Sequence, residues 1–262
     1  MQSTQKNPTE LALGFLAAAF TDFDPNAASE ILAPDYIQHN PGVPTGAEPV
    51  IQFIPALKNT GIAVETHRVF ADGDLAVTHS TYSNAQAFGA PTLVGIDVFR
   101  IENGKLAEHW DNLQPPAPPN ASDRTMTDGP TEVTDLDQTE ANKALVAEFA
   151  QAVLIEGDFS RIADFVIGGD AYMQHNPLFG DGLPALGAAF EELAAQGNAI
   201  RYTKVHKIIG AGNFVLMMSE GTLGETPTAY YDLFRLENGL IVEHWDVIQE
   251  IPATMAHDNG KF

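Results

Sequence analysis

The sequence predicts an α+β protein built from two copies of one domain, and three observations carry this reading. The stretch Ile96 to Gln114, IDVFRIENGKLAEHWDNLQ, returns at Tyr231 to Gln249 as YDLFRLENGLIVEHWDVIQ. In each copy helical patterns come first and strand patterns follow, the order of an α+β domain with helices on one antiparallel sheet. Between the copies stands Pro115-Pro116-Ala117-Pro118-Pro119, whose prolines cannot donate to a sheet ladder and favour an extended spacer. The expected division is therefore a first domain over 1–118, a linker over 119–137 and a second domain over 138–262.

The first copy opens with an amphipathic helix over Thr9 to Phe20, with Thr9 as its cap. Asp24-Pro25 starts a short helix through Leu32, because aspartate accepts free amides and proline is tolerated in a first turn. Tyr36-Ile37-Gln38-His39-Asn40-Pro41 reads as a short strand ending in a turn. A helix over Ala47 to Lys58 follows, interrupted by Pro55. Ile62 to Phe70 and Leu75 to Tyr82 form one hairpin, and Thr92 to Ile101 with Lys105 to Gln114 form the second. The second copy repeats the order: helices over Thr139 to Ile155, Ser160 to Val166 and Leu183 to Gln196, a short strand over Tyr172 to Pro177, and four strands between Ile200 and Gln249.

The repeated hairpin turns at Asn103-Gly104, residues that tolerate the positive φ of a tight reversal. A two-residue loop would pair Asp97 with Trp110 and split the polar residues between faces. A three-residue loop, Glu102-Asn103-Gly104 with a bulge at Gly104, pairs Asp97 with His109 and gathers Asp97, Phe99, His109 and Asp111 on one face. The second is the expectation, with Ile96, Val98, Leu106 and Trp110 as an apolar stripe behind. Trp110 and Trp245 then act as packing anchors on the face away from the pocket, able to hold the two domains sheet to sheet.

Composition narrows the function classes. A formal charge of -22 on 262 residues argues against nucleic acid and anionic membrane as partners. The absence of cysteine excludes thiolate chemistry and cysteine-held metals or clusters. No stretch approaches the roughly 20 apolar residues of a membrane span, and a soluble, cytoplasmic protein is the expectation.

The motifs Tyr-x-Gln-His-Asn-Pro and Phe-Arg-x-Glu-Asn-Gly-x-x-x-Glu-His-Trp-Asp, present in both copies, resemble the SnoaL-like polyketide cyclase group of the NTF2-like superfamily. The resemblance implies two cone-shaped α+β barrels, each closing helices over a curved sheet around an apolar pocket. It also implies cofactor-free, metal-free ring closure with a pocket aspartate as acid/base. That aspartate matches Asp111, and Asp246 in the second copy. The position fourteen residues earlier, histidine in those cyclases, is Asp97 and Asp232 here.

The site expected in the first copy has Asp111 as general base and His79 with His39 as acid or orienting groups, with Asn40, Asp97, Phe99 and His109 lining the pocket. In the second copy the expected lining is His175, Met218, Asp232, Phe234, His244 and Asp246, with Met218 standing where the register puts His79. The substitution makes the first copy the competent one. His109 and Asp111, with His39 and His79, also form a set that would suit zinc or non-haem iron, but the resemblance implies neither metal nor cofactor. The expected substrate is a small apolar carbonyl compound, handled by aldol cyclisation, dehydration or isomerisation. The alternatives are a non-catalytic small-molecule binding protein, whose pocket rim would be fully satisfied, and an interaction module with an exposed apolar patch around Trp110 or Trp245. The two copies are expected to pack as an intramolecular pseudo-dimer, with further homo-oligomerisation left open.

Overall fold

The computed structural model describes residues 7–262. In the first unit, α1 (Pro8–Phe20), α2 (Pro25–Ile31), β1 (Leu32–Gln38) and α3 (Ala47–Lys58) precede the four long strands β2 (Ala63–Asp72), β3 (Leu75–Ser83), β4 (Thr92–Glu102) and β5 (Lys105–Gln114). The second unit restates this with α4 (Thr139–Phe149), α5 (Ile162–Phe165), β6 (Met173–Gln174), α6 (Leu183–Ala195), β7 (Ile200–Ala211), β8 (Phe214–Leu223), β9 (Thr226–Glu237) and β10 (Leu240–Glu250). The strand orders are β1-β5-β4-β3-β2 and β6-β10-β9-β8-β7, the same topology twice.

Local chemistry sets the helix starts. Asn7, two residues before the expected Thr9, caps α1 in a reciprocal box with Glu10. The Asp24 carboxylate accepts the amides of Asn26 and Ala27 at the start of α2. Leu11, Phe15 and Leu16 of α1 then pack on Phe99, Ile101 and Leu106 of the sheet. Each such side chain contributes about 1.5–3 kcal/mol on burial.

Three expectations are corrected. The sheets are mixed, because β1 and β6 run parallel to β5 and β10. The hairpin turn spans two residues, Asn103 (φ 52°) and Gly104 (φ 76°), with Glu102 opposite Lys105. A bulge beyond the Ile101–Leu106 pair then shifts the register by one, so Asp97 faces Asp111 and Phe99 faces His109. The polar residues still share one face, but Leu106 turns from the stripe behind the sheet into the helix-facing core. The hairpin of the second unit does the same, pairing Asp232 with Asp246 and Phe234 with His244.

The domain division also changes. The first unit ends at Pro115 and takes in Pro252–Phe262, and the second is Pro116–Ile251. The expected linker is an ordered part of the second unit: Asn120 donates to the Gln174 carbonyl at 2.5 Å, and the Trp245 indole donates to the Asp128 carbonyl at 2.9 Å. The segment 252–262 holds the first unit in a similar way, with Asn259 donating to the Gln38 carbonyl and the Ala256 amide to that of Pro41. Among the described residues no helix is long and apolar enough to cross a membrane.

Candidate active site

The pleat decides which residues meet. On β1 the alternation sends Tyr36 and Gln38 to the helix side of the sheet and, just beyond the strand, Asn40 joins them. These three, with Asp97 on β4 and His109 and Asp111 on β5, form the polar part of a cavity otherwise walled by apolar side chains such as Phe15, Phe53 and Leu93. It encloses about 690 Å³ with its open mouth included; its counterpart in the second unit encloses about 530 Å³.

A continuous hydrogen-bond chain orders the polar groups. Gln38 Oε1 accepts the backbone amides of His39 and Asn40 at 2.9 and 2.8 Å, so the same oxygen meets His109 Nδ1 at 2.9 Å as an acceptor, and Nδ1 carries hydrogen. His109 Nε2 lies 3.1 Å from Asp97 Oδ1. Asp97 Oδ2 accepts from the Tyr82 hydroxyl at 2.6 Å and from Thr78 at 3.3 Å. Asn40 Nδ2 donates to Asp111 Oδ2 at 2.6 Å.

Two buried polar atoms stay outside this chain. Asp111 Oδ1 and the Tyr36 hydroxyl have no hydrogen-bond partner among the described residues, although both residues line the cavity. Tyr36 is 1% exposed, and burial, with Asp111 and Asp97 beside it, pushes its phenol well above the ordinary tyrosine value. It is held as a neutral O–H donor. Lys261, from the segment after β10, is equally buried, donates to the Asp111 carbonyl at 2.6 Å and lies 3.7 Å from Asp111 Oδ1.

Of the expected site residues, Asp111, Asn40, Asp97, Phe99 and His109 come together. His79 and His39 do not join them. His79 pairs with Ile96, not with Asp97, and its ring meets Arg68 Nδ1-to-guanidinium at 3.2 Å on the other face of the sheet. His39 stacks on Trp110 with ring centroids 5.0 Å apart, its nitrogens meeting Glu108 and the Gly260 carbonyl. The reason is the two-residue period of a strand: both histidines have the opposite parity to the pocket residues. In the second unit Asp232, Phe234, His244 and Asp246 line the cavity. His175 instead stacks on Trp245, and Met218 pairs with Tyr231 on the far face, leaving Met217 toward the core beside Phe234. The expected contrast between His79 and Met218 therefore falls outside both pockets. Trp110 and Trp245 are themselves buried, at 2% and 0% exposure, so neither centres an exposed apolar patch.

Sequence reasoning missed Tyr36, Gln38, Tyr82 and Lys261 as site residues. Tyr36 and Gln38 were within reach, since the motif Tyr-x-Gln-x-Asn alternates with period two. Lys261 carries no local signal: it lies 150 residues from Asp111.

The second site is wired similarly but filled differently. His244 bridges Gln174 and Asp232 at 2.9 and 3.0 Å, and Asn176 donates to Asp246 at 2.7 Å. Burial opposes the charged form of His244, yet Asp232 and Asp246 outweigh it and hold its pKa above the ordinary histidine value. Burial pushes the Asp246 carboxyl up to about 6. The tyrosine on Asp232 is Tyr202, from β7, whereas the one on Asp97 comes from β3. Ligand atoms of Asp97, His109 and Asp111 lie within 4.8 Å of one another, as do those of Asp232, His244 and Asp246. Both nitrogens of each histidine are already engaged by a glutamine and an aspartate, so a cation there would have to break that chain.

Residues 13–109 match the family model of the SnoaL-like domain. Among solved structures, TsrD from Streptomyces laurentii is similar at 26% identity, covering 44% of this chain and 91% of its own, with a TM-score of 0.36. IdmH, a putative polyketide cyclase from Streptomyces antibioticus, is similar at 23% identity over 42% of this chain and 93% of its own, TM-score 0.34. An NTF2-like protein of unknown function from Cytophaga hutchinsonii is similar at 17% identity over 44% and 96%, TM-score 0.36. No curated protein matches the sequence.

Proposed function

We propose, for a chain that carries a SnoaL-like domain and folds as two NTF2-like α+β units, that the first unit is an acid/base enzyme acting on a small, mostly apolar carbonyl compound. The observation that carries this reading is a pair of buried atoms without a hydrogen-bond partner among the described residues, in one apolar cavity: a carboxylate oxygen, Asp111 Oδ1, and a hydroxyl donor, Tyr36. Buried polar groups are nearly always paired, so such a pair fits a substrate that supplies both partners. A binding protein with a satisfied rim would not leave them open.

In this reading Asp111 removes a proton from the carbon next to a carbonyl, and the electron pair moves onto the carbonyl oxygen, which accepts the Tyr36 O–H. The resulting enolate can then attack a second carbonyl of the same molecule, expel a β-hydroxyl as water after protonation, or take the proton back at another carbon. These are the aldol, dehydratase and isomerase outcomes. Asn40 fixes the plane of the Asp111 carboxylate, and the Gln38–His109–Asp97–Tyr82 chain keeps the floor of the cavity rigid. The role expected of His79 and His39 passes to Tyr36.

The test needs no knowledge of the natural substrate. The flat apolar probe 5-nitrobenzisoxazole opens when a base takes its ring C–H proton: the carbon–nitrogen triple bond forms, the N–O bond breaks, and the single product is a coloured cyano-nitrophenolate. An active Asp111 gives turnover above that of acetate at equal concentration, and Asp111→Asn lowers it by about 10²-fold or more, the scale of a lost general base. A rate no better than acetate, or one unchanged in Asp111→Asn, overturns the reading.

A further inference from the structure

We propose that Lys261 is a positioning residue for the first site, so that the segment Pro252–Phe262 completes that site and sets it apart from the second. The proposal rests on Asp111 acting as the base, and it names the group that keeps it ready.

The geometry is specific. Residues 256–261 run along the loop that carries Asn40: His257 meets the Asn40 carbonyl at 3.0 Å, Asn259 donates to the Gln38 carbonyl and to Thr45 at 2.9 Å each, and the Gly260 carbonyl meets His39 at 2.9 Å. These bonds deliver Lys261, 3% exposed, against Asp111. Its ammonium clamps the backbone of the residue by the 2.6 Å bond to the carbonyl and stands 3.7 Å from the carboxylate oxygen left open to the cavity.

A lysine is costly to bury unless a charge answers it. Here the answering charge is Asp111, and burial still draws the amine down to about 8. The service is mutual. Asp97 and Asp111 face each other across β4 and β5, with His109 beside them and Tyr36 and Tyr82 over them. Asp246 stands at the matching place in the second unit, facing Asp232. The Asp246 carboxyl, beside His244, Asp232, Asn176 and His175, is pushed by burial up to about 6. Lys261 thus places a positive charge 3.7 Å from the Asp111 carboxylate and fixes its backbone, while Asp111 still lines the cavity.

The experiment uses the intact chain with Asp246→Asn as background, so that the first site alone is read, and 5-nitrobenzisoxazole as probe. Losing the cation makes Asp111 harder to ionise, so Lys261→Met moves the acid limb of the pH–rate profile upward by about one unit, a tenfold lower rate below the limb. Lys261→Arg restores it. A limb that stays in place, or a rate lowered equally at every pH, leaves Lys261 a mere packing residue and overturns the proposal. If Asp111→Asn in the same background keeps the full rate, the base reading itself has failed, a distinct result. A second measurement is independent of how well Lys261→Met folds. One lysine side-chain nitrogen in the unsubstituted protein titrates near pH 8 by 15N NMR, and in Asp111→Asn it titrates lower. No change there also overturns the proposal.

Discussion

The hydroxyl of Tyr82 donates a 2.6 Å hydrogen bond to Asp97 Oδ2, and both groups are buried in the first site. This bond fixes the carboxylate that in turn holds His109. Hydrogen bonds to a charged acceptor contribute about 1.5–3 kcal/mol, so Tyr82→Phe, which keeps the ring and its edge-on packing against Phe20, is expected to cost about 2 kcal/mol in urea unfolding. A loss below about 0.5 kcal/mol would mean that Thr78 and His109 satisfy Asp97 without it.

The second unit reaches the same end with different strands, and this predicts how the cavities differ. Position 95 is glycine in the first unit; its counterpart is Tyr230, tilted against Tyr202 with ring centroids 4.6 Å apart. A Cβ on Gly95 would lie 2.7 Å from the tip of Leu113 and 3.0 Å from the Tyr82 ring. Gly95→Ala is therefore expected to cost about 1 kcal/mol by overpacking. Gly95→Tyr should fill the first cavity and abolish turnover of 5-nitrobenzisoxazole while the far-UV circular dichroism is unchanged. Undiminished turnover would show that the probe reacts elsewhere.

Much of this was legible because it follows from period and punctuation. The repeat of Phe-Arg-x-Glu-Asn-Gly disclosed two units, and Asn103-Gly104 disclosed the turn. The gathering of Asp97, Phe99, His109 and Asp111 on one face held, although the pairing behind it did not. A bulge at Ala107 leaves no mark in residue type, and it compensates for the shorter loop so that parity is kept. His79 and His39 both lie one residue out of phase with the pocket, so their chemistry alone does not place them there. Lys261 and the ordered stretch after Pro115 could not be read at all, since their partners are far away in sequence and their own composition looks like linker or tail.

The second site predicts a pH dependence of stability. Asp246 has its carboxyl raised from 3.8 to about 6 by burial. Between those values the folded chain holds a proton that the unfolded chain releases, so stability falls as pH rises through the window and is flat above it. His244 runs the same way: its contribution is present below the ordinary histidine value and is lost as pH rises through its raised one. Asp246→Asn removes the carboxylate penalty and some of the support for His244. At 1.36 kcal/mol per unit it should stabilise the second unit by about 2 kcal/mol at pH 8 and by nothing at pH 4. Thermal unfolding at the two pH values checks this; equal effects at both would show that burial does not shift Asp246.

One ion pair stands in two settings. Glu108 joins Arg100 and His39, and Glu243 joins Arg235 and His175, on the faces opposite the pockets. The side chains of Glu108 and Arg100 are 17% and 26% exposed, those of Glu243 and Arg235 0% and 8%. Water can therefore answer Arg100 when its partner is neutralised but can barely reach Arg235. Breaking a buried pair by removing one charge costs about 3–5 kcal/mol, and an exposed pair about 1 kcal/mol or less. Glu243→Gln is thus expected to lower stability by about 3 kcal/mol and Glu108→Gln by about 1 kcal/mol. Burial alone would raise the Glu243 carboxyl, but His175 and Arg235 hold it below the ordinary value. Its contribution is complete above the ordinary glutamate range and is lost as pH falls through the depressed value, so the gap between the variants should close in acid. Guanidinium unfolding at pH 7 and pH 3 measures both. A Glu108→Gln loss equal to that of Glu243→Gln at pH 7 would mean that exposure does not set the strength of these pairs.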